Sequence, residues 1–171
     1  MKGWETWQRQ TDNGAVESEQ RVVLPAAVVD FSDAGAERLG STYWLEVERV
    51  TMRLVRRRER DSSLELLVLG KGPPLLRFGP PKIEATEDRV ACTYPIRGGL
   101  LARRPAGEIS FAQLGGSQPV LRSTIRGFYP RLAAREGKSD WTGALYSHVQ
   151  SRIHVAVSRR YFMRLISETG R

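Results

Sequence analysis

The hydrophobic pattern of the last part of the chain, from residue 139 to 171, predicts one long amphipathic helix. Ser139 and Asp140 are suitable N-cap residues, and no proline follows them. Large apolar residues then recur about every four positions, which places them on one face of a helix. These residues are Trp141, Leu145, Val149, Ile153, Val157, Tyr161 and Leu165. A helix of this length cannot bury such a face on its own, so we expect a wide layer of other elements beneath it.

The middle of the chain supplies that layer as a series of short strands. The predicted strands are 64–69, 75–78, 82–86, 89–96, 108–114 and 120–128, and most are separated by glycine- or proline-rich turns. Strands at such short intervals are typical of an antiparallel meander. The sequence therefore predicts an α+β fold in which a curved antiparallel β-sheet wraps around one long C-terminal helix. A curved sheet does not close tightly on a single helix, so we also expect an internal cavity between them.

The N-terminal part divides at about residue 19. Residues 1–19 are polar apart from Trp4 and Trp7, which predicts either a loose arm or an extended piece held by its tryptophans. The remainder, 20–171, is short enough to form a single domain with one core. Its first predicted strand is 20–29, near a sheet edge because of Pro25.

Residues 30–58 are ambiguous. Ser32 can cap a short helix over 33–39. In 41–58 the apolar residues alternate in two phases, as in a bulged strand, but Tyr43, Val47 and Val50 also fit a helical spacing. The frequency of β-branched and aromatic residues favours a strand.

The amino-acid composition gives the chain a net positive charge. Hydrophobic residues at 40% and charged residues at 27% are ordinary for a globular protein, but the formal net charge is +8 and the isoelectric point is about 10.2. Most cations are arginines, which suit phosphate or carboxylate partners, although a GC-rich genome would also encode such a chain. No apolar run is long enough for a transmembrane segment and no signal peptide is recognisable, so we expect a cytoplasmic location.

Residues that could carry chemistry are few. The single cysteine, Cys92, excludes an intrachain disulfide and a cysteine-based metal cluster, and its strand-like surroundings favour a small buried side chain. His148 and His154 are six positions apart, so on a helix they point about 120° from one another and cannot share a metal ion. We expect no metal site and no cofactor.

The end of the chain resembles a known superfamily. The segment Gly127-Phe128-Tyr129-Pro130-Arg131-Leu132, followed by Leu145-Tyr146 and by Gln150 and His154, is similar to the ending of uncharacterised bacterial proteins of the START-like superfamily. That superfamily, also called SRPBCC, has the helix-grip fold and includes polyketide cyclases and plant lipid binders. The resemblance implies that an apolar or amphipathic small molecule binds in the cavity between sheet and helix, with catalysis in only some members.

This layout leads to a set of candidate binding residues. Apolar walls are expected from Tyr43, Tyr94, Phe111, Phe128, Val149 and Ile153. Arg97 or Arg126 could supply an orienting charge. The glycine-rich loop 97–107 is interpreted either as a plain hairpin connection or as a lip that brings Leu100 and Leu101 to an apolar ligand or a membrane.

Two other classes of function stay open. A basic adaptor could dock on nucleic acid or an anionic membrane through the arginines of 56–60, although aromatic residues for stacking on bases are missing there. A cyclase- or hydrolase-like enzyme would need His148 or His154 as its acid or base. No nucleophile or acid–base pair is evident in the sequence, so binding is favoured over catalysis.

Overall fold

The computed structural model describes residues 3–131 and 140–169, with side chains described for 3–131 and 154–169. The helices are α1, Asp33–Val50, and α2, Asp140–Thr169. The strands are β1 Trp4–Gln10, β2 Val16–Val23, β3 Val55–Arg60, β4 Ser63–Val68, β5 Lys71–Phe78, β6 Lys82–Ala85, β7 Arg89–Gly98, β8 Glu108–Leu114 and β9 Val120–Phe128.

All strand pairs are antiparallel and belong to one sheet, whose order is β1-β2-β9-β8-β7-β5-β4-β3, with β6 paired to β7. Both helices pack on the same side of this curved sheet. The α+β class, with a curved antiparallel sheet and a long C-terminal helix, is therefore confirmed. Neither helix, within the described part of the chain, is long and apolar enough to cross a membrane.

The prediction of a strand over 41–58 is wrong for its first ten residues, which continue α1. Ser32 is the N-cap, and its hydroxyl accepts a hydrogen bond from the Gly35 backbone N–H at 3.2 Å. Tyr43, Trp44 and Val47 are all buried on one side of this helix. A strand would have placed the adjacent Tyr43 and Trp44 on opposite faces. Burial of both rings against the sheet therefore favours the helix over local strand propensity.

The first nineteen residues contribute an edge strand and part of its neighbour. β1 pairs with β2 along its whole length, from Trp4 opposite Val22 to Gln10 opposite Val16. The Trp4 ring packs edge-to-face on Phe162 of α2, with 5.2 Å between ring centroids. This contact holds β1 over the helix. The division into an arm and a domain at residue 19 stays a prediction, although that residue lies within β2.

A bulge in β9 decides which residues of this strand face the helices. Val16 is opposite Phe128 and Ser18 is opposite Ile125, so β9 has one extra residue between these pairs. Gly127 lies there with a φ of +62°, in the left-handed region that suits glycine. The bulge turns Phe128 into the core, where it is 4% exposed, while Arg126 stays on the outer face of the sheet.

The core lies between the inner sheet face and the two helices. α2 contributes Val157, Tyr161, Phe162 and Leu165, all 2% exposed or less. α1 and α2 are joined by Glu46, a buried carboxylate that pairs with Arg49 at 2.8 Å and with Arg164 at 3.2 Å. The C-terminal helix is thus fixed to both the sheet and α1 along its described second half.

Candidate ligand-binding site

Polar side chains converge inside this mostly apolar interior. β2 directs Ser18 and Gln20 inward, and the neighbouring β9 directs Ser123 inward opposite Gln20. α2 brings His154 and Ser158 to the same region. Ser18, Gln20, Ser123 and Ser158 are each 3% exposed or less, so each buried hydroxyl or amide needs a partner. We call these residues, together with Tyr43 and Tyr161, the inner polar cluster.

His154 is the centre of the hydrogen bonding in the cluster. Its Nδ1 lies 2.9 Å from the Tyr43 hydroxyl, and its Nε2 lies 3.5 Å from the Ser18 hydroxyl. Burial lowers the pKa of His154 to about 4 and raises that of Tyr43 above its usual value. The imidazole is therefore neutral near pH 7, with one ring nitrogen available as an acceptor.

Two hydroxyls of the cluster are left without a partner among the described residues. Ser158 donates to Gln20 Oε1 at 3.3 Å, which satisfies one polar pair. By contrast, the Tyr161 hydroxyl and the Ser123 hydroxyl are buried and make no hydrogen bond to the described part of the chain. A buried hydroxyl without a partner costs about 1–3 kcal/mol. Both groups therefore have unused hydrogen-bonding capacity within the described part of the chain.

Aromatic rings surround the cluster. Tyr43 stacks on Phe111 with 4.2 Å between ring centroids, and Tyr161 is within 5.7 Å of Phe111. Further toward β5, Trp44 packs edge-to-face on Tyr94 at 5.2 Å. Tyr43, Phe111, Tyr94 and Phe128, four of the residues predicted as apolar wall, therefore all lie in the core on the inner side of the sheet.

Cys92 lies beside this aromatic group, where Gly40 of α1 is in close contact with the sheet. A Cβ added at Gly40 would be 2.8 Å from the Cys92 sulfur and 2.6 Å from the Tyr94 hydroxyl. Cys92 is fully buried, and burial raises the pKa of its thiol to about 11. The side chain thus acts as a small buried group in helix–sheet packing.

The two arginines considered as orienting charges lie away from the inner polar cluster. Arg97 is exposed at the end of β7, and Arg126 is exposed on the outer sheet face. There Arg126 lines an open polar groove of about 250 Å³. The groove is lined by Lys82, Ile83, Glu84, Arg89, Thr93, Glu108, Ser110, Arg122, Thr124 and Arg126. Burial lowers the pKa of the half-buried Arg122.

The loop 97–107 is held by backbone hydrogen bonds on two sides. Leu100 N–H donates to Pro74 C=O and Leu101 N–H to Leu75 C=O, both at 3.0 Å. Farther on, Arg103 N–H donates to Tyr129 C=O at 2.8 Å. These hydrogen bonds fix the loop next to residues 129–131, which follow β9. Within the loop, Leu100 is exposed and Leu101 is half-buried.

Three predicted residues fall outside the described side chains. Val149 and Ile153, predicted as apolar wall, lie in the first half of α2, where only the helical backbone is described, and so does His148. Their part in a site stays a prediction.

Sequence reasoning gave no role to four polar members of the site, Ser18, Gln20, Ser123 and Ser158. Ser18 lies within the predicted arm 1–19, and Gln20 begins the predicted strand 20–29. The sequence indicates His154 only as a candidate acid or base and within the superfamily resemblance, yet it lies four positions before Ser158 and seven before Tyr161, the spacing of one helix face. That spacing was the signal that could have linked the three residues.

The sheet and the C-terminal helix have the layout of the helix-grip class of fold. No family model and no curated protein matches the chain. Among solved structures it is similar to CalU16 from Micromonospora echinospora, with 14% identity over 98% of this chain and 92% of that chain and a TM-score of 0.30. It is also similar to Ara h 8.0201, with 12% identity over 94% of this chain and 99% of that chain and a TM-score of 0.37. At these scores the likeness carries no argument about function.

Proposed function

We propose that the protein binds an amphipathic small molecule between the inner sheet face and α2, with the polar end of the ligand at the inner polar cluster. The observation that carries this proposal is the pair of buried hydroxyls of Tyr161 and Ser123, which have no partner among the described residues. The Tyr161 ring packs against Phe111 and Phe162, and Ser123 is paired with Phe111 in the β8–β9 ladder. A ligand that offers one or two hydrogen bonds there would satisfy both groups.

The chemistry of the cluster restricts the polar end of the ligand. No charged side chain among the described residues hydrogen-bonds to the cluster, and His154 is neutral near pH 7. Burying an ionised group without a counter-charge would be costly. The favoured ligand class therefore has a neutral hydroxyl or carbonyl on an aromatic or alicyclic body that stacks on rings such as Phe111 and Tyr43.

The pKa of His154 favours binding over proton transfer. A general base works best when its pKa lies near the operating pH. With a pKa of about 4, His154 accepts a hydrogen bond at pH 7 but is a weak base. The enzyme hypothesis consequently has less support than the binding hypothesis from this geometry.

The test is displacement of a neutral fluorescent probe such as Nile red by three compounds with the same apolar body: naphthalene, naphthol and naphthoate. We expect naphthol to compete best in the wild-type protein. Tyr161→Phe should reduce the advantage of naphthol over naphthalene about tenfold, the value of one hydrogen bond. Tyr129→Phe, which alters a half-buried ring outside the core, is the matched control and should leave the advantage intact.

The same variant gives an independent readout. Because the Tyr161 hydroxyl has no partner among the described residues, Tyr161→Phe should not lower the free energy of unfolding of the unliganded protein. A probe that does not bind, or equal competition by naphthol in Tyr161→Phe and wild type, would refute the proposal. Native mass spectrometry of protein from its host would then show whether any molecule is retained.

A further inference from the structure

Four large apolar side chains are exposed together at one end of the molecule. Met52 and Leu54 lie in the turn between α1 and β3, and Val68 and Leu69 lie at the end of β4. Their exposed fractions are 81%, 53%, 49% and 54%. We call this group the apolar tip, and we propose that it docks on the surface of a membrane that contains anionic lipids.

The backbone holds the tip together. Leu69 N–H donates to Leu54 C=O at 2.7 Å, and Val55 is paired with Val68 in the sheet. Met52, Arg53 and Leu69 have φ values of 50°, 62° and 52°, a left-handed conformation that bulky side chains seldom adopt. Such strain costs about 1–3 kcal/mol per residue and is most common at functional sites. Met52 and Leu69 have exposed side chains in this conformation, and Leu69 with Gly70 forms the two-residue turn between β4 and β5.

The chain segments that form the tip carry only positive charge. Neither 49–58 nor 66–82 contains an Asp or Glu, whereas Arg53, Arg56 and Lys71 adjoin the tip. None of these three cations forms a salt bridge within the described part of the chain. Arg58 and Arg77, farther along β3 and β5, differ because both pair with Glu65.

The acidic residue that directly precedes the segment 49–58, Glu48, makes a hydrogen bond within the protein. The Glu48 carboxylate accepts a hydrogen bond from the Arg57 backbone N–H at 2.9 Å. The tip therefore combines aliphatic side chains with unpaired cations, which matches the interface of an anionic membrane: apolar groups enter the acyl boundary and cations meet the headgroups. Each such cation strengthens binding about fivefold.

The same features disfavour nucleic acid as the partner. Single-stranded nucleic acid is bound by aromatic rings that stack on bases, and the tip contains only aliphatic side chains and one methionine. Phosphate contacts alone would not require large apolar side chains in strained positions. A membrane accounts for both the charge and the exposed apolar area.

Vesicle co-sedimentation tests the proposal with the full chain. We expect binding to vesicles of phosphatidylcholine with phosphatidylserine and much weaker binding to phosphatidylcholine alone. Met52→Ser combined with Leu69→Ser should weaken binding more than about tenfold, because two apolar side chains no longer enter the membrane. Arg53→Glu combined with Lys71→Glu should abolish the preference for phosphatidylserine.

Matched controls are available at exposed positions outside the tip. Trp7→Ser removes an exposed apolar ring from β1, the opposite edge strand, and Arg159→Glu reverses an exposed charge on α2. Both should bind vesicles like wild type. Circular dichroism should show that every variant keeps the fold.

Three results would overturn the proposal. The first is absent or lipid-independent sedimentation of the wild-type protein. The second is unchanged binding by the Met52→Ser, Leu69→Ser variant. The third is the absence of vesicle binding together with self-association, or binding of single-stranded nucleic acid, that is lost in the tip variants. The tip would then be a dimer contact or a nucleic-acid contact. None of these outcomes bears on the internal ligand site.

Discussion

The pKa of His154 leads to a prediction about how stability depends on pH. Burial lowers this pKa from 6.5 to about 4 in the folded protein, whereas the unfolded chain keeps the ordinary value. Between these two values the unfolded state binds a proton that the folded state does not. The stability contributed by neutral His154 is thus fully present above pH 6.5 and is lost as pH falls toward 4.

The size of the effect follows from the shift. Lowering the pKa from 6.5 to about 4 corresponds to about 3–4 kcal/mol at most. His154 is half-buried, so solvent screening reduces the expected loss to about 1–2 kcal/mol. His154→Gln removes the titrating group and keeps a side chain that can hydrogen-bond to Tyr43. We therefore expect the free energy of unfolding to fall less steeply in this variant than in wild type between pH 6.5 and 4.

Urea unfolding followed by tryptophan fluorescence at several pH values measures this difference. Other groups also titrate in this range. The hydrogen bond from Arg58 lowers the pKa of Glu65, so the contribution of this carboxylate to the stability of the protein decreases as pH falls. Its contribution is the same in both proteins and cancels in the comparison. Parallel pH profiles for wild type and His154→Gln would refute the assignment of His154 as a desolvated, neutral member of the site.

Two further predictions concern the packing that positions the site. Arg164→Met removes one partner of the buried Glu46 carboxylate and should lower the free energy of unfolding, measured by urea titration, by about 1–3 kcal/mol. The control Arg38→Met breaks an exposed ion pair and should lower it by less than about 1 kcal/mol. Equal losses in the two variants would contradict the argument from burial. Gly107→Ala places a Cβ 2.5 Å from backbone atoms of β9 and should lower the melting temperature strongly. The control Gly14→Ala has a similar positive φ but open space around the new Cβ, so it should lower the melting temperature far less. Similar melting temperatures of the two variants would contradict the argument from close packing at Gly107.

The strands from residue 64 onward could be predicted because local signals agree there. The predicted 108–114 and 120–128 coincide with β8 and β9, and glycine- or proline-rich turns mark their ends. In α1 the signals conflict. Tyr43, Val47 and Val50 fit both a helix and a strand pattern, and the choice depends on Trp44, whose burial against Phe78 and Tyr94 is a tertiary contact.

The faces of the site residues depend on similar non-local features. Simple alternation puts Arg126 and Phe128 on the same face of β9, and the bulge at Gly127 separates them. The partner of His154 is Tyr43, 111 positions earlier in the chain and within the segment predicted as a strand. A wrong element type for 41–50 therefore concealed the central hydrogen bond of the site, even though both residues were noticed individually.

The inner polar cluster is difficult to explain as a device for stability alone. Replacing two inward hydroxyls such as those of Ser123 and Tyr161 by apolar groups would remove their desolvation cost and keep the ring contacts of Tyr161 with Phe111 and Phe162. A core selected only for stability would favour that change. In the ligand-bound state that we propose, both hydroxyls would gain a hydrogen-bond partner, and their desolvation cost would then be offset.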